Sequence, residues 1–114
     1  MAEHWRARLR DGRHTLREAY AVGMSPGRLL HQHARLIDRV LVEVWRALAP
    51  VRGGALVATG GYGRGELFPH SDVDLLVLLA REPSPQEHER LAKLIGLLWD
   101  IGIEAGHSVR TVES

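Results

Sequence analysis

The sequence predicts an α+β domain, a small mixed β-sheet flanked by helices. Three observations predict it: an apolar stripe at helical spacing over residues 29–48, a capped amphipathic segment after Ser84, and three strand-length runs at 55–59, 72–79 and 103–112. With 114 residues, 45% hydrophobic and 25% charged, the chain reads as one globular domain at most.

Residues 1–24 form a basic N-terminal extension in which Arg alternates with Ala and Leu and Gly12 interrupts the pattern. One or two marginal helical turns are expected there, dependent on docking elsewhere. The main domain is expected over 25–114. Ser25 offers a capping hydroxyl and Pro26 is preset for a first turn, so a helix begins at that pair. Leu29, Leu30, Leu36, Ile37, Val40, Leu41, Val44, Trp45 and Leu48 give it one buried stripe, with His33 filling the missing turn. His31 and His33 are two residues apart, so they cannot share a metal on one helix face, and packing or solvation is expected of them.

Pro50 and Gly53-Gly54 stop this helix, and Ala55 to Thr59 has the length and branching of a buried strand. A glycine-dense loop at 60–65 follows. Asp72 to Leu79 is apolar on both faces beyond its first three residues, which predicts a central strand with acids at its mouth. Ser84-Pro85-Gln86-Glu87 has the spacing of a capping box. Leu91, Leu94, Ile95 and Leu98 supply the next helix's inner face, and that helix should end near Asp100 to Gly102. Ile103 to Val112 reads as a third strand, with Ile103, Ala105, His107, Val109 and Thr111 on one face and Glu104, Gly106, Ser108 and Arg110 on the other. No closing element follows Val112, the pattern expected of a domain truncated at its C-terminus.

A formal charge of +1 argues against a general nucleic-acid binder. The charge is unevenly spread: residues 1–50 hold nine Arg and five acids, whereas residues 51–114 hold six basic and nine acidic residues. A cation therefore fits the second half. The absence of cysteine removes disulfides, thiolate metal sites and thiol nucleophiles, and fits a reducing cytoplasm. The longest apolar run, Leu75 to Ala80, is far short of the roughly 20 residues of a membrane span. Glu3, Asp11 and Glu18 break the acid-poor pattern of a transit peptide.

The chemistry concentrates in Gly60-Gly61-Tyr62-Gly63-Arg64-Gly65-Glu66-Leu67-Phe68-Pro69-His70-Ser71-Asp72-Val73-Asp74. On an extended strand Asp72 and Asp74 share a face with Cα atoms about 7 Å apart, a spacing at which both bind one divalent ion or bridge two. Two such anions beside an apolar strand repel each other, and a hard cation offsets that cost. Oxygen ligands without thiolate favour Mg²⁺ or Mn²⁺ over Zn²⁺. Glycines leave amide donors unobstructed for a phosphate chain. The loop matches neither the Walker pattern, since Glu66 follows Gly65, nor the dinucleotide pattern of glycines at i, i+2 and i+5.

The order strand, Gly-Gly, ten residues, then Asp-Val-Asp-Leu resembles the nucleotidyltransferase superfamily that includes DNA polymerase β. The fuller string GGYGRGELFPHSDVDLLVL resembles the N-terminal transferase domain of the bacterial uridylyltransferase and uridylyl-removing enzyme family. The resemblance extends upstream over Leu29 to Trp45 and downstream from Leu97-Leu98-Trp99-Asp100 to Gly106-His107-Ser108-Val109-Arg110-Thr111. It implies a nucleotidyltransferase fold, UTP as donor, a tyrosine of the PII signal protein as acceptor, Mg²⁺ as cofactor and pyrophosphate as product. It places Gly60 and Gly61 on the triphosphate and makes Asp72 and Asp74 the metal ligands and catalytic pair. Either aspartate could relay the proton.

Arg64 is a candidate phosphate contact, with a surface salt bridge as its alternative. Ser71 is a candidate nucleotide contact, with a turn cap as its alternative. Superfamily members often add a third carboxylate on a later strand. Glu104 is the candidate, Asp100 and a residue past 114 are the alternatives, and a two-acid site stands beside them. No His-Asp dipeptide occurs, so nothing in the sequence assigns the reverse, uridylyl-removing activity to this chain. Two other readings compete: a small stand-alone transferase with another acceptor, and a non-catalytic nucleotide-binding module.

Overall fold

A computed structural model describes residues 2–48, 50–65, 67 and 72–112, with Tyr62 described by its backbone alone. Three long helices and a three-stranded sheet make an α+β domain. Helix α1 spans Ala2–Ala21 and α2 spans Pro26–Leu48. Strand β1 (Ala55–Ala58), a four-residue helical turn α3 (Gly60–Gly63) and β2 (Val73–Leu79) follow. Helix α4 (Pro85–Ile101) then leads into β3 (Ala105–Thr111). The sheet order is β1-β2-β3, with β1 antiparallel and β3 parallel to β2, so the sheet is mixed and β2 is central.

Helix α2 begins where the Ser25-Pro26 pair places it: the Arg28 amide donates to Ser25 Oγ at 3.3 Å. His33, Ala34, Leu36, Ile37, Val40, Leu41 and Val44 are its buried face. Helix α4 has the expected capping box, with the Glu87 amide donating to Ser84 Oγ (3.2 Å) and the Ser84 amide to Glu87 Oε1 (2.8 Å). Gly102 ends it with a left-handed φ of 105°.

Helix α1 departs from the expectation of one or two turns, because it runs unbroken for 20 residues. Gly12, read as an interruption, is a crossing point: a Cβ there would stand 2.8 Å from the Leu36 methyl carbons of α2. Trp5 and Leu9 join the same core as α2 and α4, so tertiary packing supplies what propensity does not.

Helices α2 and α4 lie against one face of the sheet, and α1 packs on both of them. Val73, Leu75, Val77 and Leu79 point into them and are buried, whereas Asp74 is exposed and Leu76 and Leu78 are half-buried on the other face. The shortest dimension, 17 Å, is that of two layers. Strand β1 is an edge rather than the buried strand expected, with Val57 37% exposed. Among the described residues no helix is long and apolar enough to cross a membrane.

Candidate active site

The site lies at the starting end of β2, where the sheet's bare face begins. Alternation along the strand puts Asp74 on that face. Thr59 fixes the strand beside it: its amide and its hydroxyl both donate to the Asp74 carbonyl at 3.0 Å. The chain then turns sharply at Gly60, whose φ of 62° is left-handed and disfavours any side chain. A Cβ on Gly60 would also sit 3.2 Å from Asp74 Oδ2. On the opposite flank the register pairs Asp74 with Gly106, whose imagined Cβ would lie 3.5 Å from Asp74 Oδ1. Each carboxylate oxygen thus faces a glycine, and the space a side chain would fill stays open to a ligand.

An open cavity of about 280 Å³ adjoins this carboxylate, lined by Thr59, Asp74, Leu75, Gly106, His107 and Ser108. A larger one, about 370 Å³, lies between α2 and β1 against Trp45, Leu41 and Leu56, with Asp38 and Arg46 also lining it. The smaller cavity is the candidate, because it contains the strand-end carboxylate and Gly106, one of the two glycines that leave it accessible.

The glycine segment is not the open loop expected. Residues Gly60–Gly63 form a turn of helix, in which the Gly63 amide donates to Thr59 O (3.0 Å) and the Arg64 amide to Gly60 O (3.2 Å) and Gly61 O (3.1 Å). Those two amides are therefore spent within the turn, while Gly60 and Gly61 occupy its first positions, where a helix leaves amides without intrahelical acceptors. Gly63 is required by proximity, since a Cβ would stand 2.9 Å from Ala58 O.

Asp72 is exposed just ahead of β2, and Arg64 is exposed after α3. Ser71 lies outside the described residues. Glu104 is exposed one residue before β3, and its carbonyl accepts from the Val73 amide at 2.9 Å. Its charge acts on Arg13 of α1. Burial lowers the Arg13 pKa from its ordinary value, repulsion from Arg17 lowers it further, and Glu104 opposes both. Asp100 remains within α4. Opposite Asp74 stands a glycine rather than a third acid, and among the described residues no three His, Asp or Glu side chains converge as a metal cluster.

Thr59 and Gly106 are site residues that sequence reasoning missed. The two-residue step from Glu104 to Gly106 on one strand face was the available signal for Gly106, but the register follows from where α4 ends, which the sequence placed only within three residues.

The nucleotidyltransferase domain family matches residues 39–106, a stretch that runs from the middle of α2 to Gly106. The chain is 44% identical over 112 residues to a bifunctional uridylyltransferase/uridylyl-removing enzyme of Chromobacterium violaceum, covering 97% of this chain and 13% of that protein. Proteins of the same description from Aromatoleum aromaticum (50% over 107 residues, 94% of this chain and 12% of that one) and Cupriavidus metallidurans (56% over 79 residues, 69% and 9%) are similar. The chain thus spans about an eighth of the length of these relatives. No solved structure matches it. The matched stretch contains Thr59, Gly60, Asp74 and Gly106, the residues that shape the carboxylate's surroundings, and this chain belongs to the nucleotidyltransferase domain family.

Proposed function

We propose that this chain is the nucleotide-binding part of a uridylyl-transferring domain, taking UTP as donor and a tyrosine of the PII signal protein as acceptor, in the bacterial cytoplasm. The single observation that supports it best is the Asp74 carboxylate, set at a strand mouth between two glycines that leave both oxygens reachable. The similarity to bifunctional uridylyltransferase/uridylyl-removing enzymes supports a uridylyl group as the one transferred.

The donor set fits a hard divalent ion: two carboxylates two residues apart, no thiolate, and a cradle beside Asp74 that a Cβ would fill. Asp72 and Asp74 would hold Mg²⁺ or Mn²⁺, with Glu104 as a candidate third ligand. Such an ion supplies charge neutralisation on phosphate oxygens and a lowered pKa for an attacking hydroxyl. Gly60 and Gly61 let the triphosphate approach the backbone, and Arg64 and Ser71 donate to it. Asp72 or Asp74 accepts the tyrosine proton as the phosphorus–oxygen bond forms and pyrophosphate leaves.

Incubation with labelled UTP, Mg²⁺ and PII tests the reading. The expected result is label on a PII tyrosine with the wild-type chain and none with Asp74→Asn. Labelling of a different acceptor but not PII transfers the activity to another substrate. UTP affinity equal with and without metal removes the metal-assisted mechanism.

A further inference from the structure

We propose that His33 is a positioning residue for the nucleotide site, acting through the Gly60–Leu67 segment and held in place by Arg13. His33 is the one fully buried polar side chain among the described residues, at 0% exposure, and it lies in α2, outside the site. One ring nitrogen, Nδ1, lies 3.1 Å from the Leu67 carbonyl oxygen, and Arg13 Nε donates to the other, Nε2, at 3.1 Å. These partners fix the tautomer. A carbonyl only accepts and a guanidinium only donates, so Nδ1 carries the proton and Nε2 is the acceptor.

The contact bears on geometry because Leu67 lies two residues past Gly65 in the sequence, close to one end of the glycine segment. Its other end is clamped by the two Thr59 donations to the Asp74 carbonyl. Between the clamps stand Gly60, Gly61 and Arg64, and His31 of the same helix approaches Gly65. Leu67 is itself buried in the core, so its carbonyl needs a donor, and the His33 Nδ1–H supplies it.

Arg13 extends the tie to the opposite flank of the site. Its Nη1 donates to the Gly102 carbonyl at 3.0 Å, at the α4 cap four residues before Gly106. One guanidinium therefore braces both arms that enclose Asp74: the glycine turn through His33 and Leu67, and β3 through Gly102. This inference rests on the nucleotide-site reading above and adds a residue about which neither the aspartate pair nor the glycine motif gives any hint.

Two amide variants separate the roles. In His33→Asn the amide nitrogen overlays Nδ1, keeping the donation to Leu67 and losing Arg13. In His33→Gln the terminal oxygen overlays Nε2, keeping Arg13 and losing Leu67. Both leave a void and lower stability, so stability alone does not decide. UTP affinity in Mg²⁺ is expected to fall about fivefold in His33→Gln, the equivalent of one ordinary hydrogen bond, and to be largely rescued in His33→Asn.

Hydrogen exchange of the free chain gives a second readout that needs no nucleotide. The Gly63 and Arg64 amides, normalised to the Leu94 and Leu98 amides of α4, are expected to exchange about fivefold faster in His33→Gln than in His33→Asn. Equal exchange and equal affinity in the two variants would overturn the proposal and leave His33 a core residue. If the wild-type chain binds no UTP, the uridylyl-transfer reading fails by itself, and the exchange comparison still decides the role of His33.

Discussion

The two faces of β2 alternate along one short strand and end in opposite circumstances. On one face Val73, Leu75, Val77 and Leu79 pack against the helices at 1–3% exposure. On the other, Asp74 is exposed and Leu76 and Leu78 are half-buried, and the strand's only acid stands there between glycines. The covered face uses interdigitated side chains for stability; the bare face uses their absence, at Gly60 and Gly106, to leave room for chemistry. Stability and function are thus separable by strand parity, and substitutions on each face should reveal it.

The sharpest contrast is expected from Asp74→Asn, which keeps shape and removes charge. Transfer should fall on the order of 100-fold or more, the scale of losing a group aimed at transition-state charge, with unchanged thermal unfolding. A parallel loss of stability would break the division between faces. On the covered side, Leu98→Ala empties a fully buried site between α4 and the rest of the core, and urea unfolding should show a loss of about 2–5 kcal/mol.

Gly60→Ala probes the boundary, since it forces a side chain into a left-handed backbone and against Asp74 Oδ2. It should cost roughly 1–2 kcal/mol in unfolding experiments and weaken metal-dependent UTP binding as well. The smallest effect concerns pH. Donation from the Ser84 backbone, then from Arg81, holds the Glu87 carboxyl below its ordinary 4.5. A carboxyl whose pKa is lower in the folded state stabilises the fold above the ordinary value and loses that contribution as pH falls through the folded one. Glu87→Gln should therefore lie below wild type in stability at pH 6 and converge with it as pH falls below about 4.5, read by thermal melts across pH.

Where a local chemical rule decides the outcome, the sequence was a good guide. The Ser25-Pro26 pair set the start of α2, and the Ser84 to Glu87 capping box set the start of α4. The alternation after Ile103 gave the faces of β3, and two-sided apolarity identified β2 as central. Where tertiary contact decides, the sequence was silent or misleading. Gly12 looked like a break and is instead a close crossing with Leu36. Ala55 to Thr59 reads as buried because its composition is apolar, yet β1 is an edge that no further described strand covers. The motif pointed to the Asp72-Asp74 pair and to Gly60, but the placement of Gly106 opposite Asp74 depends on register, and the burial of His33 beneath Leu67 depends on how α1 docks.

Trp99 has a half-exposed indole, 54% accessible, whose N–H donates to the Ala105 carbonyl at 3.1 Å. Trp5, by contrast, is sealed in the core at 5% and Trp45 is partly covered. The molecule therefore has an intrinsic optical reporter: collisional quenchers reach the Trp99 emission while Trp5 stays dark to them. Its anchor, Ala105, adjoins Gly106, so fluorescence follows the strand beside the carboxylate without any added label.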